Sequence, residues 1–225
     1  MKRKLLIYFS ILSLAFVATK VFKYEDVNKN IEKREIIETA KTEKLVLEGK
    51  RIVLDPGHGG NDIGASGQHG TLEKQVTLET TKKIMVALEE AGAEVILTRD
   101  DDEYVELEDR VLLATENKAN IFISIHYDAF ETNDVYGMTT YYYNKRDKRM
   151  AECFHEHILM QNLSTRDRGV SYGDYYVLSE NKVPAVLLEL GYISNAEDEA
   201  NIITPAFQTK VATGIVEGII DYFRA

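Results

Sequence analysis

From Arg51 onward, short apolar runs of strand length alternate with longer stretches of helical period, and this alternation restricts the chain to the α/β class. Residues 51–55, 93–97, 120–125, 137–143, 175–178 and 184–188 read as strands, the last as a central one. Between and after them, residues 73–91, 107–119, 148–163, 196–203 and 205–223 read as helices. The first of these sets Val76, Ile84, Val86 and Leu88 as its apolar positions and stops at Gly92. The pattern predicts a single three-layer domain over residues 51–225, a mostly parallel mixed sheet of about six strands flanked by helices.

The first fifty residues follow other rules. Lys2, Arg3 and Lys4 precede an apolar run from Leu5 to Thr19, the order of an export signal. That run falls between the h-region of a cleaved signal, about 7–15 residues, and a spanning helix of about 17–25. Phe16 stands where a cleavage site would want a small residue. We therefore expect residues 1–22 to act as an uncleaved membrane anchor with its bases inside, in preference to a cleaved signal peptide. Residues 23–50 are charged and weak in apolar periodicity, which predicts a solvated spacer. The domain is thus expected to be exported, at the outer face of the cytoplasmic membrane or in the cell wall.

Composition excludes several chemistries. Cys153 is the single cysteine, so neither an intrachain disulfide framework nor a multi-cysteine zinc site is available. Any metal must be held by His, Asp or Glu. The net charge is −10, and residues 1–22 contain bases but no acids, so the remainder is more acidic still. Such a body repels phosphate backbones, and no nucleic-acid partner is expected. Asp55-Pro56-Gly57-His58-Gly59-Gly60 lacks the closing Gly-Lys-Ser/Thr of a phosphate loop; its glycines suit close backbone approach to a metal instead.

In open α/β sheets, functional groups gather beyond the carboxyl ends of the strands. Three polar residues occupy such places: His58 after the first strand, His126 after the third and Glu189 after the central one. Glu73 joins them from the start of the long helix that follows the glycine-rich loop. Two imidazoles and a carboxylate make the three-ligand set of a catalytic zinc, with Glu189 left over as a base. Each residue alone has a plainer reading. Either histidine can be a hydrogen-bonded rim residue, and Glu73 can be a favourable charge at a helix N-terminus. Glu189 is harder to explain away, because an acid ending an apolar strand is costly to bury unpaired. His155 and His157, two apart on a helix, do not face each other.

At this point an ordered series of motifs can be compared with a known family. Leu54-Asp55-Pro56-Gly57-His58-Gly59-Gly60, Gly70-Thr71-Leu72-Glu73-Lys74, Leu97-Thr98-Arg99, Ile123-Ser124-Ile125-His126, Arg168-Gly169-Val170 and the stretch from Pro184 through Glu189-Leu190-Gly191 to Asn195 resemble the motifs of zinc-dependent N-acetylmuramoyl-L-alanine amidases. The resemblance runs from about Arg51 to Tyr222. It implies that His58, Glu73 and His126 bind Zn2+ and that Glu189 is catalytic. It also implies peptidoglycan as substrate, with hydrolysis of the amide between the lactyl group of N-acetylmuramic acid and L-alanine. Asp128 stands where many relatives have Asn, Tyr127 where a small residue is usual, and Tyr192 where Phe is common. The short stretch from Asp128 to Gly137 leaves no room for the long inhibitory helix of some relatives.

Asp55 is expected either to orient a ligand imidazole or to stabilise the turn before Pro56. The short layout is similar to members that modify spore cortex with a helper protein, and equally to vegetative wall enzymes. Two competing classes are a non-catalytic wall-binding module on the same fold and a peptidase or deacetylase on the same scaffold.

Overall fold

The computed structural model describes residues 46–224. The anchor expected over residues 1–22, and the spacer up to residue 45, lie outside the described residues. Six strands form one sheet: β1 (Arg51–Pro56), β2 (Glu94–Leu97), β3 (Ile121–Asp128), β4 (Met138–Tyr142), β5 (Asp167–Tyr172) and β6 (Ala185–Tyr192). They lie in the order β2-β1-β3-β6-β4-β5. The first four in that order are mutually parallel, β4 runs antiparallel to β6, and β5 is parallel to β4. Helices α1 (Glu73–Glu90), α2 (Leu107–Glu116), α3 (Lys148–Leu159), α4 (Tyr176–Ser179), α5 (Ala196–Ile202) and α6 (Pro205–Arg224) complete the domain. The mixed, mostly parallel sheet flanked by helices is the one expected.

Side-chain alternation splits the core in two. Ile52 and Leu54 of β1, Ile121, Ile123 and Ile125 of β3, and Val186 and Leu188 of β6 face a large layer built by α1, α3 and α6. Val53, Phe122, Ala185 and Leu187 face the opposite way, into a smaller layer where only α2 and α4 lie. By the same alternation Asp55, Ser124, His126 and Glu189 share that second face. The thinner cover there leaves room for a cleft beside them.

Several local expectations are corrected. Residues 175–178 form no strand: Val177 and Leu178, adjacent in sequence, are both buried, as the turn of helix α4 permits and a strand of period two does not. The sixth strand is β5, whose Asp-Arg-Gly-Val-Ser-Tyr sequence is half exposed at the sheet edge and carries little apolar signal. Val86 is exposed, because Ile84 and Leu88 share one face of α1 and a residue midway between them turns to the other. The folded body also begins earlier than residue 51. Leu47 is fully buried in the larger core layer, and its N–H donates to the Ala91 carbonyl at 3.1 Å.

Beneath the loop that follows β1 lies a buried ion pair. Asp55 and Arg110 are 1% and 2% exposed and meet at 2.7 Å, and the Ser124 and Thr98 hydroxyls each donate to Asp55 at 2.6 Å. Burial pushes the Asp55 carboxyl up, but Arg110 and these hydroxyls more than reverse it, leaving it below the usual carboxylate range. Arg110 also donates to the carbonyls of Pro56 and His58, and buried Arg99 to those of Pro56 and Gly57. The two guanidiniums thereby fix the loop that carries His58. Arg110→Met is expected to destabilise the fold by about 3–5 kcal/mol, the usual result of stranding one partner of a buried pair. Urea unfolding at neutral pH measures this loss.

Candidate metal centre

The sheet register brings the two inner site residues together. His126 and Glu189 are Cα partners on the parallel neighbours β3 and β6, so their side chains leave the same face side by side. Both lie within their strands, since β3 runs on to Asp128 and β6 to Tyr192, rather than just beyond the strand ends. His58 sits past the end of β1 with φ of 62°, a left-handed backbone that a non-glycine residue adopts only where its surroundings hold it. Arg99 and Arg110 supply that restraint.

Glu73 is the first residue of α1, yet its carboxylate does not serve as a helix cap. It folds back across the loop, where Oε2 accepts from the Ala65 N–H at 2.8 Å and Oε1 from the Tyr127 N–H at 3.1 Å. Lys74, next in sequence, ties the loop down by donating to the Gly60 carbonyl and Asp102. Buried Glu199 on α5 accepts from the His69 and Thr71 N–H groups on the approach to Glu73.

The three expected ligands converge. Glu73 Oε1 lies 3.0 Å from His58 Nε2 and 3.1 Å from His126 Nδ1, and the two imidazoles meet edge to face at 4.9 Å. Burial alone would raise the Glu73 carboxyl, but its bonds to His126 and His58 hold it far below the usual range, so it is ionised. One donor atom from each residue falls within 4.8 Å of the others, the spacing of a set around one small divalent cation. The backbone makes room for them. A Cβ at Gly57 would overlap the His126 ring, and one at Gly64 would lie 2.6 Å from Glu73 Oε2 and 2.7 Å from His58 Cδ2.

Orientation of His58 comes from Asp62, whose Oδ2 lies 2.9 Å from His58 Nδ1 and so directs Nε2 toward Glu73. That leaves Asp55 the second of its two expected roles, since it is engaged with Arg110, which holds the Pro56 and His58 carbonyls. Asp62 was legible as an acid four residues after His58 in a turn-rich loop, but that signal is weak by itself. His155 does not join the site. It is buried among Thr140 at 3.0 Å and Asp167 at 2.8 Å, linking α3 to β4 and β5.

Glu189 is different in kind from the three. It is 7% exposed, and its Oε2 has no hydrogen-bond partner among the described residues. Burial, then the charges of Glu73 and Asp128, push its carboxyl well above the usual range. A cleft of about 440 Å³ contains it together with His58, Glu73 and His126, walled by Tyr104, Tyr175 and Tyr176. An acid without a hydrogen-bond partner among the described residues, with a raised proton affinity and beside three convergent donor groups, is chemically able to take up a proton there.

Comparison with known proteins identifies a family for the sequence and the fold. A family model described as N-acetylmuramoyl-L-alanine amidase matches residues 52–221. The probable cell wall amidase LytH of Staphylococcus aureus is 44% identical over 185 residues, which cover 81% of this chain and 62% of that protein. The chain thus spans less than two thirds of the length of this relative. The catalytic domain of the amidase CwlV from Bacillus (Paenibacillus) polymyxa var. colistinus superposes with a TM-score of 0.75 at 40% identity, covering 78% of this chain and 98% of that one. CwlD from Clostridioides difficile, solved in complex with the GerS lipoprotein, gives a TM-score of 0.74 at 35% identity, with 78% and 99% covered. With its residues 52–221 matched throughout, the chain belongs to the N-acetylmuramoyl-L-alanine amidase family.

Proposed function

We propose that this chain hydrolyses the amide between the lactyl group of N-acetylmuramic acid and L-alanine in peptidoglycan, with Zn2+ held by His58, Glu73 and His126 and with Glu189 as general base. The observation that carries the reading is the convergence of those three side chains beside a buried, unpaired carboxylate. Family membership supports the choice of bond.

Two imidazoles and a carboxylate are the donor set that zinc favours in hydrolytic sites. Held by His58, Glu73 and His126, zinc would supply Lewis acidity for activating water and polarising the scissile carbonyl. The protein's own residues do the rest. Glu73 contributes a fixed negative charge, and Asp62 keeps the His58 ring turned inward. Glu189 accepts the proton of the attacking water on its free carboxylate oxygen and returns it to the departing alanine nitrogen. Burial in a cleft with an aromatic wall raises its affinity for that proton and keeps bulk water from competing.

The same proposal places the domain outside the cytoplasmic membrane, where the wall lies, a reading supported by the basic and apolar start of the sequence. A helper protein fits as well, given the lipoprotein bound to the clostridial relative. Digestion of purified peptidoglycan, with and without chelator, tests the proposal by product mass. Free stem peptides beginning at L-alanine are expected, lost on chelation and restored by zinc. Deacetylated but intact wall chains, or cleavage inside the stem, would replace the proposal with another hydrolase. Zinc content without any product would replace it with a binding module.

The pH profile gives a second check. A base works only when ionised, so activity is present above its pKa and lost as pH falls through it. Because the Asp128 charge is one cause of the raised Glu189 pKa, Asp128→Asn is expected to move the acid limb of kcat/KM to lower pH.

A further inference from the structure

The cleft is short of hydrogen-bond donors. Its charged lining is mostly acceptor: Asp62, Glu73, Asp128 and Glu189. Arg110, which also lines it, is spent on Asp55 and on the carbonyls of Val105, Pro56 and His58. The Tyr104 hydroxyl donates to Glu106, and the Tyr127 hydroxyl is paired with Thr80 in the core. Apart from Nε2 of His126, the cleft's side-chain donors that meet no protein carboxylate or carbonyl among the described residues are the hydroxyls of Tyr175, whose one polar neighbour is the Tyr141 hydroxyl, and of Tyr176.

These two are not equivalent. Tyr175 is the extended residue before α4, with φ of −95° and ψ of 137°, and its carbonyl accepts from the Leu178 and Ser179 N–H groups at 2.9 Å. Its backbone is therefore fixed. Its ring is fixed as well, packed edge to face on Tyr141 at 5.1 Å and lying where a Cβ on Gly173 would come within 2.6 Å of it. Tyr141 is the Cα partner of Leu187, two residues before Glu189, so the stack stands on the same face of the sheet as the Glu189 carboxylate. Tyr176, at the start of α4, is somewhat more exposed, and no ring contact pins it among the described residues. Burial, then the charges of Tyr141 and Glu189 and a side-chain hydrogen bond with Tyr141, push the Tyr175 hydroxyl above its usual pKa, so it stays protonated.

We propose that Tyr175 is a further catalytic residue, its pinned hydroxyl donating a hydrogen bond to the substrate carbonyl oxygen as that oxygen becomes an oxyanion. The proton stays on Tyr175 throughout: water oxygen bonds to the carbonyl carbon, the C=O pair moves onto oxygen, and the hydroxyl stabilises that charge without transferring its proton. A rigid donor aimed at developing charge favours the transition state over the planar ground state. The proposal rests on the amidase reading.

The test compares wild type, Tyr175→Phe and Tyr172→Phe, all loaded with zinc, on a defined muramoyl-peptide. It also measures binding of a phosphinate mimic of the tetrahedral intermediate by calorimetry. Tyr175→Phe keeps the ring packing and is expected to lower kcat about 10²-fold with KM within about twofold. Its affinity for the phosphinate should fall by a similar factor, while Tyr172→Phe, an exposed tyrosine of β5 outside the cleft, changes neither. Tyr175→Phe with kcat and phosphinate affinity within about threefold of wild type would overturn the proposal and leave the amidase reading intact. A wild type that releases no stem peptide sinks both.

Discussion

Glu189→Gln is expected to lower stem-peptide release by about 10²–10⁴-fold, the usual contribution of a general acid–base group, while zinc content stays at the wild-type level. The separation follows from geometry. Glu189 is not one of the three side chains whose donor atoms converge, and its Oε2 has no partner to lose. Glutamine matches its shape but cannot take up a proton. Metal analysis of the purified variant, alongside product masses from digested wall, checks both halves. Retained hydrolysis would remove Glu189 as the base.

The same substitution carries a stability signature. Burial raises the folded-state pKa of Glu189, so between the unfolded and folded pKa values the native state binds more protons than the unfolded one. Stability therefore falls as pH rises through that window, and above it the protein carries a buried charge. Replacing the acid by glutamine removes the cost of burying it, whether protonated or charged, and should raise the melting temperature of the metal-free protein near neutral pH. A group merely hydrogen-bonded in the fold would give the opposite sign.

His126→Ala should abolish both zinc binding and activity. Two donors remain, His58 and Glu73, and Glu73 loses one of the two imidazoles that hold its carboxyl ionised. A ligand that binds only the native state stabilises it, by about 2.7 kcal/mol at a hundredfold excess over Kd. Wild type should thus gain melting temperature on adding zinc, and His126→Ala should gain none. A variant that still responds to zinc would show that the cation sits elsewhere. This measurement needs no substrate, so it separates failure of the metal centre from failure of the proposed reaction.

Much of the layout was legible because it depends on local pattern. The Val, Ile and Leu runs of β1, β3 and β6 are buried on both faces, and fully buried parallel strands advertise themselves as continuous apolar segments. Helices α1 and α6 declare themselves by length and by punctuation, such as Gly92 after the first and Pro205 at the start of the second. Edge elements were harder. β5 is polar and half exposed, and α4 is a single turn whose four residues cannot establish a period. Both are set by what lies beside them.

For the site, residue types and the rule that strand ends converge were enough to nominate His58, Glu73, His126 and Glu189, since a carboxylate ending an apolar strand is costly without a purpose. Their chemistry needed three dimensions. Which acid orients His58 depends on the turn that brings Asp62 back to Nδ1 and on the guanidiniums that claim Asp55. The exposed wall of Tyr104, Tyr175 and Tyr176 comes from segments about seventy residues apart, joined only across the sheet. Sequence determines what local sterics and hydrophobic burial dictate: the strands, the long helices, and the side chains able to bind a metal or a proton. Proton affinities and uncommitted donors depend on desolvation and on distances between atoms far apart in the chain, and those exist only once the sheet has closed.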